Sequence, residues 1–358
     1  MNIWFDVLTP KQVLFFKPFV EYLKAQGNNV LCTSRQYREC TELAKKKSLK
    51  IKIVGSYGGH HKYDKLRQSA KRTYELAKVI KQFEPSVAVN FSSPEAARVS
   101  FGLGIPQVVF NDSPHAYAVG KLTIPYAQKL LCPWIIPYHA WKGFGIQKEQ
   151  ITRYRALDPV VWIKRRNLEQ LPDLEALRSK YFLSKQKTIL IRPEESKAAY
   201  MTNKKDNYTI SGIESLIEKF HESTNIVILG RYEDQAEKFL DRFGSKVIVL
   251  GKTVDGLELL SVADIFVGAG GTMTAEAALL GKPTISISPI HFYVDDYLIR
   301  SGLVEKALDQ VELVQLVNRM LKNDTISRKQ ERLADKILKF MEDPMQILNQ
   351  ILSSYITL

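Results

Sequence analysis

The chain has 358 residues, 45% hydrophobic and 25% charged, enough for two α/β domains with separate cores and too apolar for an extended disordered chain. Lys and Arg number 51 against 38 Asp and Glu, a net charge of +13. That excess favours phosphates, nucleic acid or an anionic membrane face, or else is a solvated basic surface. No apolar run approaches the roughly 20 residues that cross a bilayer. The first residues read as a strand, without the basic start and long apolar centre of a signal peptide. Three cysteines, Cys32, Cys40 and Cys132, have no metal-ligand spacing and are odd in number, which suits a reducing cytoplasm.

Apolar β-type runs alternate with amphipathic helical runs, the pattern of parallel sheets flanked by helices. In the N-terminal half the expected strands are 3–7, 30–33, 51–54, 87–90, 107–110 and 129–132, with helices near 15–25, 64–83 and 94–102. The loop after the first strand is expected to open its helix at Pro18. Two basic clusters fall here, Lys45-Lys46-Lys47 with Lys50 and Lys52, and Lys62, Lys65, Arg67, Lys71 and Arg72 after the Gly58-Gly59-His60-His61 turn. No RNA- or DNA-binding motif accompanies them, so no specific nucleic-acid partner is expected. In the C-terminal half the expected strands are 188–192, 225–229, 246–250, 265–267 and 284–287, with helices near 210–221, 234–243, 256–260 and 274–280. The expected organisation is a domain over 1–155, a linker over 156–182, a second domain over 183–325, and a helix over 326–358 packing back across the domains. Two doubly wound domains of this kind place ligands beyond the carboxyl ends of their strands.

The densest motif runs from Asp264 to Pro283 and reads D-I-F-V-G-A-G-G-T-M-T-A-E-A-A-L-L-G-K-P. It has the form strand, glycine turn, helix and strand. Gly268, Gly270 and Gly271 remove side chains where the helix begins, exposing backbone N–H groups and the positive end of the helix dipole to an anion such as a phosphate. Thr272 or Thr274 is expected to cap that helix. Glu276 would repel a phosphate, so a neutral hydroxyl partner such as a ribose is expected for it. The plainer alternative is a structural βαβ corner.

Five further loops accompany this motif: D-V-L-T-P-K-Q-V-L-F-F-K-P from Asp6 to Pro18, S-S-P-E-A-A-R from Ser92 to Arg98, N-D-S-P-H from Asn111 to His115, R-P-E-E from Arg192 to Glu195, and L-G-R-Y from Leu229 to Tyr232. Together they resemble the GT-B superfamily of nucleotide-sugar enzymes. The chain most resembles the domain-of-unknown-function 354 family, over nearly its whole length. It is more distantly similar to MurG-like glycosyltransferases and non-hydrolysing UDP-N-acetylglucosamine 2-epimerases. The resemblance implies an α/β, GT-B-like fold of two facing doubly wound Rossmann-like domains with an inter-domain cleft. It also implies a C-terminal domain that holds a UDP-sugar. There Gly270, Gly271 and Thr272 meet the diphosphate, with Thr274 beside them, and Glu276 meets the ribose. Arg192 contacts phosphate or pairs with Glu194 or Glu195, and Gly230 with Arg231 offers a second, weaker contact. Residues 252–255 would cradle the base.

The N-terminal domain would hold the acceptor. Asp112 stands where MurG-like enzymes carry an acidic residue, and His115 three residues on suits general base work. Alternatively Asp112 caps the next segment and His115 packs structurally. Asp6 and Glu95 lie on the same side, although Glu95 also fits simple helix-dipole placement. Where MurG-like enzymes carry the histidine of a Gly-Gly-His loop, this chain has Gln12, which takes no proton. The base is then Asp6, Asp112 or His115, or the chain does not catalyse that transfer. The expected function is a metal-independent glycosyltransferase, with no cofactor beyond its UDP-sugar donor, acting on an acceptor in glycan or cell-envelope biosynthesis. A lipid-linked acceptor and an anionic membrane surface are the further partners expected, and the location is cytoplasmic, on the inner membrane face. The alternatives are a UDP-sugar epimerase and a non-catalytic nucleotide-sugar-binding protein. Against the epimerase, the R-P-E-E-S run from Arg192 to Ser196 replaces the epimerase His-Arg-Arg-Glu-Asn run.

Overall fold

The computed structural model describes residues 1–59, 61–166, 172–194, 208–231, 233–251 and 254–355. The chain forms two compact units, Met1–Trp162 with Glu342–Leu358, and Ile163–Met341.

The first unit runs β1 (Asn2–Asp6), α1 (Pro10–Ala25), β2 (Asn29–Gln36), α2 (Arg38–Lys46), β3 (Lys52–Ser56), α3 (Lys62–Phe83), β4 (Val87–Asn90), α4 (Pro94–Gly102), β5 (Gln107–Phe110), α5 (Tyr117–Thr123), β6 (Lys129–Pro133) and β7 (Ile151–Tyr154). The short α6 (Val160–Ile163) follows. All seven strands are parallel, in the order β3-β2-β1-β4-β5-β6-β7. The order reverses between β1 and β4, so the loops after those strands diverge and leave room for a ligand. Beneath them Phe15 packs against Phe16, Phe19, Phe91 and Phe110 with ring centroids 5.0–5.5 Å apart, three of the four edge-on. Each such pair adds about 0.5–1.5 kcal/mol beyond its buried area, so the strand-end loops stand on a stiff aromatic floor.

The second unit runs α7 (Leu174–Lys180), β8 (Thr188–Arg192), α8 (Tyr208–Phe220), β9 (Asn225–Leu229), α9 (Glu233–Phe243), β10 (Ile248–Leu250), α10 (Gly256–Val262), β11 (Ile265–Gly268), α11 (Thr272–Leu279), β12 (Thr284–Ser286), α12 (Tyr293–Arg300), β13 (Glu305–Lys306), α13 (Gln310–Lys322) and α14 (Thr325–Phe340). Its six parallel strands lie in the order β10-β9-β8-β11-β12-β13, with the reversal between β8 and β11. Ile189, Ile191, Ile226, Ile228, Ile265 and Val267 face a core with Ile213, Leu216, Leu313 and Val317. The alternate residues Leu190, Val227, Leu229 and Phe266 face one with Leu259, Leu260 and Ala277. Both faces are covered, which is why these strands read as continuous apolar runs.

Several features differ from the sequence expectation. Helix α1 starts at Pro10, not Pro18: Thr9 caps it by accepting from the Gln12 N–H, and Pro10 takes the first position, where its missing N–H costs nothing. Strands β7 and β13 are additional. Where one helix was expected to the C-terminus there are two, because Asp343 caps a new helix α15 (Pro344–Ser353) that begins at Pro344. The first unit ends at Trp162, inside the expected linker, and takes α15 into its own body. There α15 meets α1 through Met345, Leu348 and Leu352 against Phe19, Tyr22 and Leu23.

Candidate functional site

In the first unit the end of β1 is closed by a buried ion network. Asp6, fully buried, receives two bonds from the Arg72 guanidinium at 2.6 and 3.1 Å, one from Thr33 Oγ1 at 2.6 Å and one from Ser93 Oγ at 2.6 Å. Glu95 takes a further Arg72 bond at 3.3 Å, and Arg72 Nε donates to Val54 O. Burial pulls the Arg72 pKa down, but the two carboxylates outweigh it and hold the guanidinium above its ordinary value. Asp6 and Glu95, expected on the acceptor side, both anchor Arg72 and brace the ends of β1 and α4. Gln12 is also a brace. Its Oε1 accepts from the Leu8 N–H at 2.7 Å and its Nε2 donates to Phe91 O. Ser92 joins the turn at φ +53, outside the range most residues adopt, held by Asn111 Nδ2 and by its own bond to Phe110 O. Such strain persists only where the surroundings enforce it.

Beside this frame lies a second cluster. Lys11 Nζ sits 2.5 Å from Asp112 Oδ2, 2.6 Å from Asp158 Oδ2 and 4.2 Å above the Phe91 ring. Tyr154 donates to Asp158 Oδ1 at 2.5 Å. Burial pulls the Lys11 pKa down, but its two carboxylate partners more than restore it, and it stays charged. Burial pushes Asp112 up, yet Lys11 and the bonds from Lys11 and Ser113 hold it below the usual carboxylate range. For Asp158, 2% exposed, burial wins over Lys11 and its carboxyl rises to about 6. Two carboxyls sharing one cation are thus driven apart, Asp112 ionised and Asp158 the first to take a proton. Burial lowers His115 from 6.5, with the Asp112 charge acting the other way, so the imidazole is neutral at pH 7 and able to accept a proton. Lys11, Asp158 and Tyr154 join Asp112 in this cluster, and the Asp112 charge acts on His115. Lys11 was visible in the Pro10-Lys11-Gln12 loop, but Asp158 fell inside the expected linker.

In the second unit the β11–α11 turn is side-chain-free. Gly270 and Gly271 have φ of +84 and +92, a region that favours glycine. A Cβ on Gly270 would stand 3.0 Å from the Phe292 ring, and one on Gly268 would stand 2.5 Å from Thr274 Oγ1. The capping expectation is corrected: Gly271 is the N-cap of α11 with no side-chain bond, and Thr274 is turned inward and fully buried. Thr272 opens the helix, and Glu276 is buried with Oε2 3.7 Å from a Cβ position on Gly256, the first residue of α10. Arg192 Nη1 donates to the Leu229 and Gly230 carbonyls at 2.8 Å each, tying β8 to the end of β9. Arg231 reaches the glycine turn. Its Nη2 donates to Gly270 O at 3.3 Å and lies 3.5 Å from a Cβ position on Gly271, while Nε donates to Pro193 O. Residues 252–253 of the expected base loop, Glu195 and His60 lie outside the described residues. Among the described residues no helix is long and apolar enough to cross a membrane, and no His/Cys/Asp/Glu group is placed to hold a metal.

Over residues 1–356 the sequence matches the family described as "Protein of unknown function (DUF354)". The chain belongs to DUF354. This DUF354 protein is 30% identical over 321 residues to an uncharacterized protein of Methanocaldococcus jannaschii, covering 88% of this chain and 91% of the relative. In structure it is similar to a Neisseria meningitidis UDP-GlcNAc 2-epimerase solved with UDP-GlcNAc, with TM-score 0.77 and 14% identity over 99% of this chain and 100% of that one. It is also similar to the M. jannaschii UDP-GlcNAc 2-epimerase solved with UDP-GlcNAc and UDP, with TM-score 0.68 and 17% identity over 95% and 100%. The spinosyn forosaminyltransferase SpnP gives TM-score 0.65 and 14% identity over 99% of both chains. At these identities the likeness fixes the fold, a GT-B-type α/β architecture of two parallel sheets with helices.

Proposed function

We propose that this DUF354 protein is a glycosyltransferase that moves a sugar from a UDP-sugar to an acceptor hydroxyl, in glycan or cell-envelope biosynthesis. The observation that carries the reading is the side-chain-free turn at the start of α11 with the Arg231 guanidinium on it. Backbone N–H groups, a helix dipole and a cation there suit a diphosphate leaving group, stabilising the charge that develops as the glycosidic bond breaks. No step is asked of a metal. Glu276 accepts from the ribose hydroxyls. In the first unit His115, neutral at pH 7, takes the proton of the acceptor hydroxyl, and the Asp112 carboxylate stabilises the imidazolium that forms. Lys11 keeps Asp112 ionised for that purpose. The basic surface suits a lipid-linked, phosphate-bearing acceptor at an anionic membrane face.

One observation favours an epimerase as second reading. Asp158 and Asp112 form an acid and a base around one lysine, and epimerisation by elimination and re-addition needs both. Incubation with a panel of UDP-sugars and membrane extract, followed by product separation, decides. Free UDP with a new glycoside supports transfer, and an isomerised UDP-sugar supports epimerisation. Binding without turnover on any acceptor fraction sinks both in favour of a binding protein.

A further inference from the structure

The glycine turn before α11 is bordered by a carboxyl group that the donor reading leaves unused. Asp295, in the first turn of α12, is 4% exposed, and its Oδ2 has no hydrogen-bond partner among the described residues. That oxygen stands 3.1 Å from where a Cβ on Gly270 would be. Buried polar atoms are normally paired. An unpaired carboxyl oxygen beside an anion-suited turn marks a place where a ligand completes the hydrogen bonding.

The charge of Asp295 decides which ligand atom it meets. The charged and titratable groups around it are Lys306 on β13, which also donates to Ser288 O, and Asp296, the next residue of α12. His291 Nδ1 lies 3.3 Å from Asp296, and Arg231 donates to Gly270 O on the same turn. Burial pushes the Asp295 carboxyl up, Lys306 draws it down and Asp296 pushes it further, to about 7. An ionised carboxylate at that distance from the turn would repel a phosphate, whereas the neutral acid donates a hydrogen bond to it.

We propose that Asp295 is a ligand-binding residue of the α11 turn that works in its neutral form, donating its proton in a hydrogen bond to an anionic phosphate oxygen, so that binding takes up a proton from solvent. The inference rests on the donor reading of that turn. No covalent bond to the ligand changes; a carboxylate, a proton and a bound phosphate become a carboxylic acid bonded to that phosphate. Below the pKa of the free protein the proton is already in place and uptake vanishes. Above it, uptake approaches one proton, and affinity falls by up to about tenfold per pH unit.

The test is calorimetric titration of the full chain with UDP at pH 8, in HEPES and in Tris, whose ionisation heats differ. At this pH the terminal phosphate of UDP is already ionised. The slope of the observed heat against buffer ionisation heat counts protons. Wild-type protein is expected to take up about 0.5–1 proton, Asp295→Asn close to none, and His291→Gln the wild-type value. The affinity of Asp295→Asn should be flat between about pH 7 and 9. Binding of UDP without proton uptake by wild-type protein, or uptake retained in Asp295→Asn, overturns this inference and leaves the donor reading standing. No UDP binding at all defeats the donor reading and this inference with it. Should Asp295→Asn fail to fold, the wild-type proton count decides alone.

Discussion

One ammonium group sets the ionisation of two carboxyls in the first unit. Replacing Lys11 by Met leaves the buried Asp158 and the partly buried Asp112 without their cation, which typically costs about 3–5 kcal/mol. Urea unfolding at pH 7 should show a loss of that size; a change under about 1 kcal/mol would mean that the pair is solvated and contributes little. The pH dependence has two opposed parts. The depressed Asp112 carboxyl contributes stability present above its ordinary value of 3.8 and lost as pH falls through its folded value. Asp158 acts the other way: its cost sets in as pH rises from 3.8 to about 6. Asp158→Asn should therefore flatten the part of the stability profile between about pH 4 and 6. On the chemistry, His115→Ala and Asp112→Asn should each slow transfer by about 10²–10⁴-fold with donor affinity little changed, and a parallel collapse of affinity would move both residues to the donor site. Asp112 and His115 were readable because they follow a strand in a short polar motif. Asp158 was not, because Ile151–Tyr154 is a four-residue edge strand with the pattern I-T-R-Y, buried only at its two ends, too short to stand out among prolines and charges.

At the scale of elements, the glycines separate into those that need only backbone freedom and those that also need space. Gly104 has φ +69 with open space around a Cβ, whereas Gly281, at φ +74, would place a Cβ 2.6 Å from the Glu331 backbone on α14. Gly104→Ala should cost about 1 kcal/mol. Gly281→Ala should cost more, since the end of α11 must then part from α14, and equal losses by urea unfolding would contradict this packing. The strand–turn–helix unit around Gly268–Gly271 was legible because its glycines are dictated by backbone geometry. The side-chain cap expected from Thr272 or Thr274 is not made, because Thr274 has the residue type of a cap but the burial of a core position. The Thr9-Pro10 start of α1 and the Asp343-Pro344 start of α15 both carried a capping residue followed by proline. The sequence expectation instead opens the helix at Pro18, which lies inside α1, and runs one unbroken final helix.

For the whole molecule, the sequence anticipates that the C-terminal helix returns to the domains but not that it breaks at Asp343 and that only α15 joins the first unit, because that depends on which apolar face α15 meets. Leu348, buried against α1, should cost about 2–5 kcal/mol on truncation to Ala. All four tryptophans, Trp4, Trp134, Trp141 and Trp162, belong to the first unit, so tryptophan fluorescence reads that unit directly. The loss should appear in the fluorescence-detected transition; a transition unchanged in Leu348→Ala would show that α15 does not support the first unit in solution. The central claim is that the α11 turn holds a nucleotide diphosphate with the help of Arg231. Calorimetric titration of UDP into wild-type protein and Arg231→Ala tests it most directly. One site per chain is expected, with an affinity lower in the variant by about 1.5–3 kcal/mol, the scale of a charged hydrogen bond; equal affinities, with both proteins folded, would contradict it.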